Sequence, residues 1–287
     1  MTQSHSNVRL AIAQMPMHWT CEANTSCILE NLAAAADQGA QICVFPELAL
    51  TGFHRQTKTE AEPVRIAGAL QRIQALCQER AISCVVGATT FENDSAPLNS
   101  HVYIDLRGKI AATVSKIGLT PSEATFFATG LTRPVVSWPG MDCTSVLCRE
   151  MEDLDVLQTQ LPAGKATVIF WPSYIGRNPN DPPGFAHRYR GFAQRLARQS
   201  EAYVIQCNWP HALNSSDITY MGGSAVISPL GEVLFGLPID QSGLATFLLG
   251  EREYAWSASH VQMKDPKHNS SENHAKEKPG QTPADQK

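Results

Sequence analysis

Ile42-Cys43-Val44-Phe45-Pro46-Glu47 is a continuous apolar run that closes on a proline and then a carboxylate. A short apolar run bounded in this way reads as a strand buried on both faces, the kind found inside a parallel sheet. Upstream, residues 8–14 alternate Val8, Leu10 and Ile12 with Arg9, Ala11 and Ala13, the two-residue period of a strand. Between the two strands a helix is expected from about Thr25, with Ile28, Leu29, Leu32 and Ala36 on one face and Gly39 placed to end it. Downstream, Ile66, Leu70, Ile73 and Cys77 recur at helical spacing, and residues 82–90 read as another buried strand. The order is therefore β-α-β-α-β.

Farther along the chain strands dominate. Residues 101–105 and 109–114 flank Leu106-Arg107-Gly108, a hairpin turn with a glycine available for positive φ. Residues 134–138, 144–148, 167–171, 203–207, 223–228, 232–235 and 244–249 read as further strands, with a tight turn at Pro229-Leu230-Gly231. A helix over residues 185–200 carries Phe192, Leu196 and Gln199 inward and Arg188, Arg190, Arg195 and Arg198 toward water. About a dozen strands interleaved with helices describe a layered α/β domain. That domain is assigned to residues 1–256. Residues 257–287, polar and charged with few apolar side chains, are expected to be a flexible tail.

Composition narrows the class. In 287 residues, 43% are hydrophobic and 17% charged, and the net charge of −4 carries no basic surplus for nucleic acid. No signal peptide and no membrane-spanning run is read, so a cytoplasmic protein is expected. The eight cysteines include no C-x-x-C pair, and Cys43, Cys84 and Cys207 sit in apolar runs as small buried hydrophobes. The nine histidines show no ligand spacing, so no metal is expected, and no nucleotide-binding loop is present.

What remains is a set of polar residues just beyond apolar strands, where α/β sites form. Glu47 ends the run quoted first; desolvated there it becomes a general base, whereas facing water it is an ordinary strand-end acid. Lys116 follows the hairpin, with Glu123 seven residues on to hold it charged. Cys148 ends Thr144-Ser145-Val146-Leu147 and precedes Arg149-Glu150-Met151-Glu152-Asp153, which reads as the first turn of a helix. At such an elbow a thiol faces substrate, the helix N-terminus lowers its pKa, and the next backbone N–H points at a developing oxyanion. The alternative for Cys148 is a buried structural cysteine.

Taken together, these stretches resemble the nitrilase superfamily, the carbon–nitrogen hydrolases. Phe45-Pro46-Glu47-Leu48 with Thr51-Gly52-Phe53 is similar to the family's glutamate motif. Asn99-Ser100, Asp105, Gly108 and Lys116, then Leu119, Glu123, Phe127 and Gly130, resemble its hairpin and lysine motif. Leu147-Cys148-Arg149-Glu150 is similar to its cysteine motif, and Tyr203-Val204, Gly223-Ser224 and Pro229-Leu230-Gly231 resemble its later strands. The resemblance implies a four-layer α-β-β-α sandwich and a homodimer or larger assembly. It also implies a Glu47, Lys116, Cys148 triad that needs no cofactor, with Glu123 and the Arg149 N–H positioning the lysine, substrate or oxyanion.

The match departs in two places. The aromatic, acid and Arg-Phe-Pro-Glu run common after the cysteine is absent, and Asp142, Glu150, Glu152, Asp153 and Asp155 crowd that neighbourhood instead. Those acids either cap a helix and face water or select a substrate with a cationic amine. The common Arg-Ala-x-Glu-Asn pattern is replaced by Arg195-Leu196-Ala197-Arg198-Gln199-Ser200. The function expected is hydrolysis of a non-peptide C–N bond in a small amide or carbamoyl compound through a cysteine thioester. A nitrilase using the same three residues, or an idle scaffold of the same fold, stands as the alternative.

Overall fold

In the computed structural model, which describes residues 8–92, 96–138, 140–161, 163–178 and 185–259, the alternation read in the first strand decides how the layers stack. The strands are β1 (Arg9–Gln14), β2 (Ile42–Val44), β3 (Ser83–Thr90), β4 (Leu98–Ile104), β5 (Ile110–Ser115), β6 (Val136–Trp138), β7 (Met141–Ser145), β8 (Val168–Ser173), β9 (Tyr203–Asn208), β10 (Ala225–Ile227), β11 (Val233–Gly236), β12 (Gly243–Leu248) and β13 (Tyr254–Ala258). The helices are α1 (Cys21–Asp37), α2 (Thr57–Glu60), α3 (Pro63–Arg80), α4 (Leu154–Gln160) and α5 (Phe185–Ser200). One sheet runs in the order β13-β12-β1-β2-β3-β4-β5 and the other β11-β10-β9-β8-β7-β6.

Leu10 and Ile12 face Phe170, Ile205 and Val226 of the second sheet, in one buried cluster between the sheets. Their neighbours Ala11 and Ala13 point the other way, to Ile28 and Leu32 of α1 and Ile73 of α3. A third cluster sets Ile169, Trp171 and Val204 of the second sheet against Ala193, Leu196 and Ala197 of α5. Three apolar interfaces separate four layers, which is the α-β-β-α sandwich. The β-α-β-α-β reading of the first segment holds, with β1, β2 and β3 parallel; β7, β8 and β9 form the parallel core of the second sheet.

Several boundaries shift for physical reasons. Helix α1 starts at Cys21, four residues before Thr25, because the Thr20 hydroxyl accepts the Ala23 N–H and caps it there. Strand β7 ends at Ser145, so Cys148 lies three residues past the strand rather than at its end. In α5 the buried face is Tyr189, Ala193, Leu196 and Ala197, while Gln199 is exposed. Arg190 does not point to water as expected: it is half-buried, and its Nη2 donates to the Gly223 carbonyl at 2.8 Å. Tyr254–Ala258 pairs antiparallel with β12, so the proposed domain boundary at 256 falls inside a strand. Residues 260–287 of the expected tail lie outside the described residues. No helix among the described residues is long and apolar enough to cross a membrane.

Candidate active site

Glu47 and Cys148 each lie three residues beyond an interior strand, β2 in one sheet and β7 in the other, and Lys116 directly follows β5. The two sheets face each other, so their strand ends deliver these residues to one place. Gly87 on β3 makes room for the first: a Cβ there would come within 2.2 Å of the Pro46 carbonyl and 2.5 Å of the Leu48 N. The Trp209 indole N–H donates to the Glu47 carbonyl at 2.8 Å and fixes the turn from the other side.

The side chain of Glu47 is fully buried, as is that of Lys116. Lys116 Nζ donates to Glu47 Oε1 at 2.7 Å and to Glu123 Oε1 at 2.6 Å, so one ammonium joins two carboxylates. Asn99 Nδ2 donates to the same Glu47 oxygen at 2.9 Å and to Glu123 Oε1 at 3.4 Å, while the Thr120 N–H holds Glu123 Oε2 at 2.8 Å. Among the described residues, nothing bonds Glu47 Oε2 or Asn99 Oδ1. A buried oxygen left in this state typically costs about 1–3 kcal/mol, so it marks a place where stability has been set aside.

Cys148 has a φ of +48°, a left-handed backbone that cysteine adopts only under strain, and it keeps part of its surface exposed. Its carbonyl accepts the Trp171 indole N–H at 3.0 Å, which pins the elbow, and its Sγ lies 3.9 Å from the Tyr174 carbonyl. A short 3-10 turn, Cys148–Glu152, follows, so the continuous helix expected after the cysteine begins only at α4. The backbone N–H groups opening that turn, Arg149 among them, lack partners within it.

Burial pushes the Glu47 carboxyl above its ordinary value; Lys116 pulls it back in part, and Glu123 adds to the rise. Burial opposes the charge on Lys116, but Glu47, Cys148 and Glu123 outweigh it and hold the ammonium protonated well above its usual range. The expectation that the helix N-terminus lowers the Cys148 pKa is overturned. Burial and then the Glu47 charge push the thiol up, and Lys116 offsets them only in part. Five residues of 3-10 turn supply too small a dipole to reverse desolvation. The surroundings of the thiol therefore favour its protonated form.

The acids around the cysteine divide by position. Glu150 is buried and does not face water: Oε1 accepts the Ile117 N–H at 2.7 Å, the Gly118 N–H at 3.0 Å and Arg133 Nη2 at 2.9 Å, while Oε2 accepts the Leu147 N–H at 2.6 Å. It thus ties the segment after Lys116 to the segment before Cys148. Arg133 and burial compete over its charge, and the arginine with the backbone donors wins, holding its pKa below the ordinary value. Asp153 pairs with Arg149 at 3.2 Å, Glu152 accepts the Tyr189 hydroxyl, and Asp142 accepts the Ser137 hydroxyl at 2.6 Å. Sequence reasoning missed the roles of Arg133, Trp171 and Trp209, whose partners are distant in the chain and carry no local pattern. Among the described residues, no three metal-ligating side chains converge.

Residues 9–251 match the family model of carbon–nitrogen hydrolases. The chain belongs to the carbon–nitrogen hydrolase family. This confirms the nitrilase-superfamily resemblance on which the sandwich was expected. An (R)-stereoselective amidase of a Pseudomonas species is 28% identical over 214 residues, covering 74% of each protein. An amidase from a Nesterenkonia species superposes with a TM-score of 0.72 at 23% identity, over 86% of this chain and 92% of that one. A glutamate-to-glutamine variant of that amidase, with the acetamide moiety of fluoroacetamide added covalently at its active-site cysteine, matches with a TM-score of 0.73 at 21% identity over 87% and 92%.

Proposed function

We propose that this carbon–nitrogen hydrolase cleaves a small amide through a thioester on Cys148. The observation that carries the reading is the buried Glu47–Lys116–Glu123 cluster beside a strained cysteine, with one Glu47 oxygen unpartnered among the described residues. Glu47 accepts the thiol proton as the sulfur bonds to the amide carbon, and the carbonyl electrons move onto oxygen. The Lys116 ammonium and the Arg149 N–H stabilise that oxyanion. Glu47 returns its proton to the leaving nitrogen as the C–N bond breaks, leaving the thioester. It then takes a proton from water as the water attacks, and gives it back to sulfur as the acid departs. Glu123 keeps the lysine in place. The amidase relatives support an amide over a nitrile or carbamoyl substrate. Self-association as a homodimer or larger assembly and a cytoplasmic location belong to the same reading.

The test is ammonia release from a panel of small amides, carbamoyl amines and nitriles, run beside Cys148→Ala. Release from the amides, reduced by about 10⁴-fold or more in the variant, is expected. Release from nitriles alone transfers the reading to a nitrilase. Release from none, with Cys148 no more reactive than a free thiol, leaves a scaffold without activity.

A further inference from the structure

A cleft of about 360 Å³ opens beside the cluster, with Glu123, Phe53, Phe126 and Phe127 among its walls. Cys148 is not part of its lining, but the cleft shares two walls with the nucleophile's surroundings. Glu123 holds Lys116, and Phe53 stacks on Tyr174 at 4.6 Å, whose carbonyl lies next to the Cys148 sulfur. Glu123 and Phe53 thus link the cleft walls to the surroundings of Cys148.

Two cations, Arg55 and Lys58, line the same cleft. Each is set against an aromatic ring: the Arg55 guanidinium lies 4.7 Å from the Trp19 ring centre, and Lys58 Nζ lies 5.2 Å from that of Phe126. Such contacts hold a cation in place without neutralising it. Among the described residues, no carboxylate pairs with either. The nearby acids are engaged elsewhere, Glu60 with Arg65 at 3.1 Å and with the Cys21 N–H, and Glu123 with Lys116. The His54 imidazole, also in the lining, is held neutral by burial more than its neighbours restore its charge. The cleft thus carries two exposed cations with no carboxylate bonded to them among the described residues, and Glu123, bonded to Lys116, on another of its walls.

We propose that this cleft selects amides that carry a carboxylate at the end remote from the reacting C–N bond, with Arg55 and Lys58 as its specificity-determining residues. The proposal rests on the amide-hydrolysis reading and reverses the charge preference that the acids after Cys148 allowed. Four of the five acids of that neighbourhood, Glu150, Asp153, Glu152 and Asp142, are bonded to Arg133, Arg149, Tyr189 and Ser137, whereas no carboxylate among the described residues pairs with the cleft cations.

The experiment compares butyramide with the monoamide of succinic acid, in which a carboxylate replaces the terminal methyl, and with 4-aminobutyramide. The anionic amide is expected to exceed both in kcat/KM by about ten-fold or more, and Arg55→Gln with Lys58→Gln is expected to erase most of that ratio. Equal rates on the three amides, or a preference that survives the double substitution, overturns the proposal while leaving amide hydrolysis intact. Calorimetric binding of the same three amides to Cys148→Ala decides the matter without turnover. Tighter binding of the anionic amide that Arg55→Gln with Lys58→Gln removes upholds the charge selection, and equal binding refutes it. If the wild type hydrolyses no amide, the hydrolysis reading fails separately, and the binding result still stands.

Discussion

Two buried ion clusters flank Cys148, and they are built differently. Around Glu150 the charges balance, with one carboxylate, one guanidinium and three backbone N–H donors, and both carboxylate oxygens are bonded. Around Lys116 they do not: two carboxylates share one ammonium, and Glu47 Oε2 has no partner among the described residues. The electrostatics follow, since the Glu150 pKa is held down and the Glu47 pKa is pushed up. A satisfied cluster stores stability; an unsatisfied one stores reactivity. The first fixes the loops that carry Lys116 and Cys148, and the second faces the thiol.

The sharpest way to break this contrast is Glu47→Gln. It keeps the shape of the side chain but removes the proposed base, and amide turnover is expected to fall by about 10³-fold or more. Thermal stability is expected to hold or rise, because the carboxylate is charged at a cost in the folded state. A turnover loss accompanied by a large drop in melting temperature would place Glu47 in the structural class with Glu150.

Glu150→Gln is the complementary substitution, with the next largest effect. It strands the Arg133 charge in a buried site, and removing one partner of a buried pair typically costs about 3–5 kcal/mol. Denaturant unfolding should show that loss. Residual folded enzyme should have lower turnover as well, since both loops lose their common anchor. A variant that unfolds like the wild type would mean the pair is dispensable.

Acidity separates the clusters by sign. Glu150, with its folded pKa depressed, contributes stability that is fully present above the ordinary value of 4.5 and is lost as pH falls through its folded pKa. Glu47, with its folded pKa raised, binds its proton more tightly folded than unfolded, so its contribution weakens as pH rises from 4.5 through its folded pKa. The acid limb of kcat/KM should therefore lie above an ordinary carboxylate titration and vanish in Glu47→Gln. The acid-unfolding midpoint should shift in Glu150→Gln. An acid limb at the ordinary carboxylate position would contradict the burial of Glu47.

The contrast also marks what could be read from the chain. The alternation of Leu10 and Ile12 against Ala11 and Ala13 was enough to separate the two faces of the first sheet, and each became a core. Glu47, Lys116, Glu123 and Cys148 were legible because each stands at the end of a short, readable strand or turn, and the structure gathers all four. Glu150 stands in the sequence as the acid of the cysteine motif and as one of five acids in its neighbourhood, with no partner legible. Its partners Arg133, Ile117 and Leu147 come from three segments, and no local spacing encodes such a bond set. The thiol pKa is not legible in the sequence for a related reason. The helix-like sequence after Cys148 was visible, but the burial that outweighs a short turn depends on the opposite sheet.

The smallest effect is expected from Trp171, which lies outside both clusters. Its indole N–H holds the Cys148 carbonyl at 3.0 Å, and its ring belongs to the core against α5. Trp171→Phe removes the bond while keeping most of the apolar packing, so the stability loss should be about 1–2 kcal/mol, a hydrogen bond plus a small volume change. The elbow at φ +48° then loses one of the contacts that hold it, and strained backbone relaxes when its surroundings cease to determine it. Turnover should fall by about ten-fold, with kcat affected more than KM, because the sulfur swings from its line of attack while the cleft is untouched. If KM rises instead and kcat holds, the indole shapes the substrate site rather than the nucleophile. The strain at Cys148 would then be maintained by Glu150 and the Leu147 N–H on the other side of the turn.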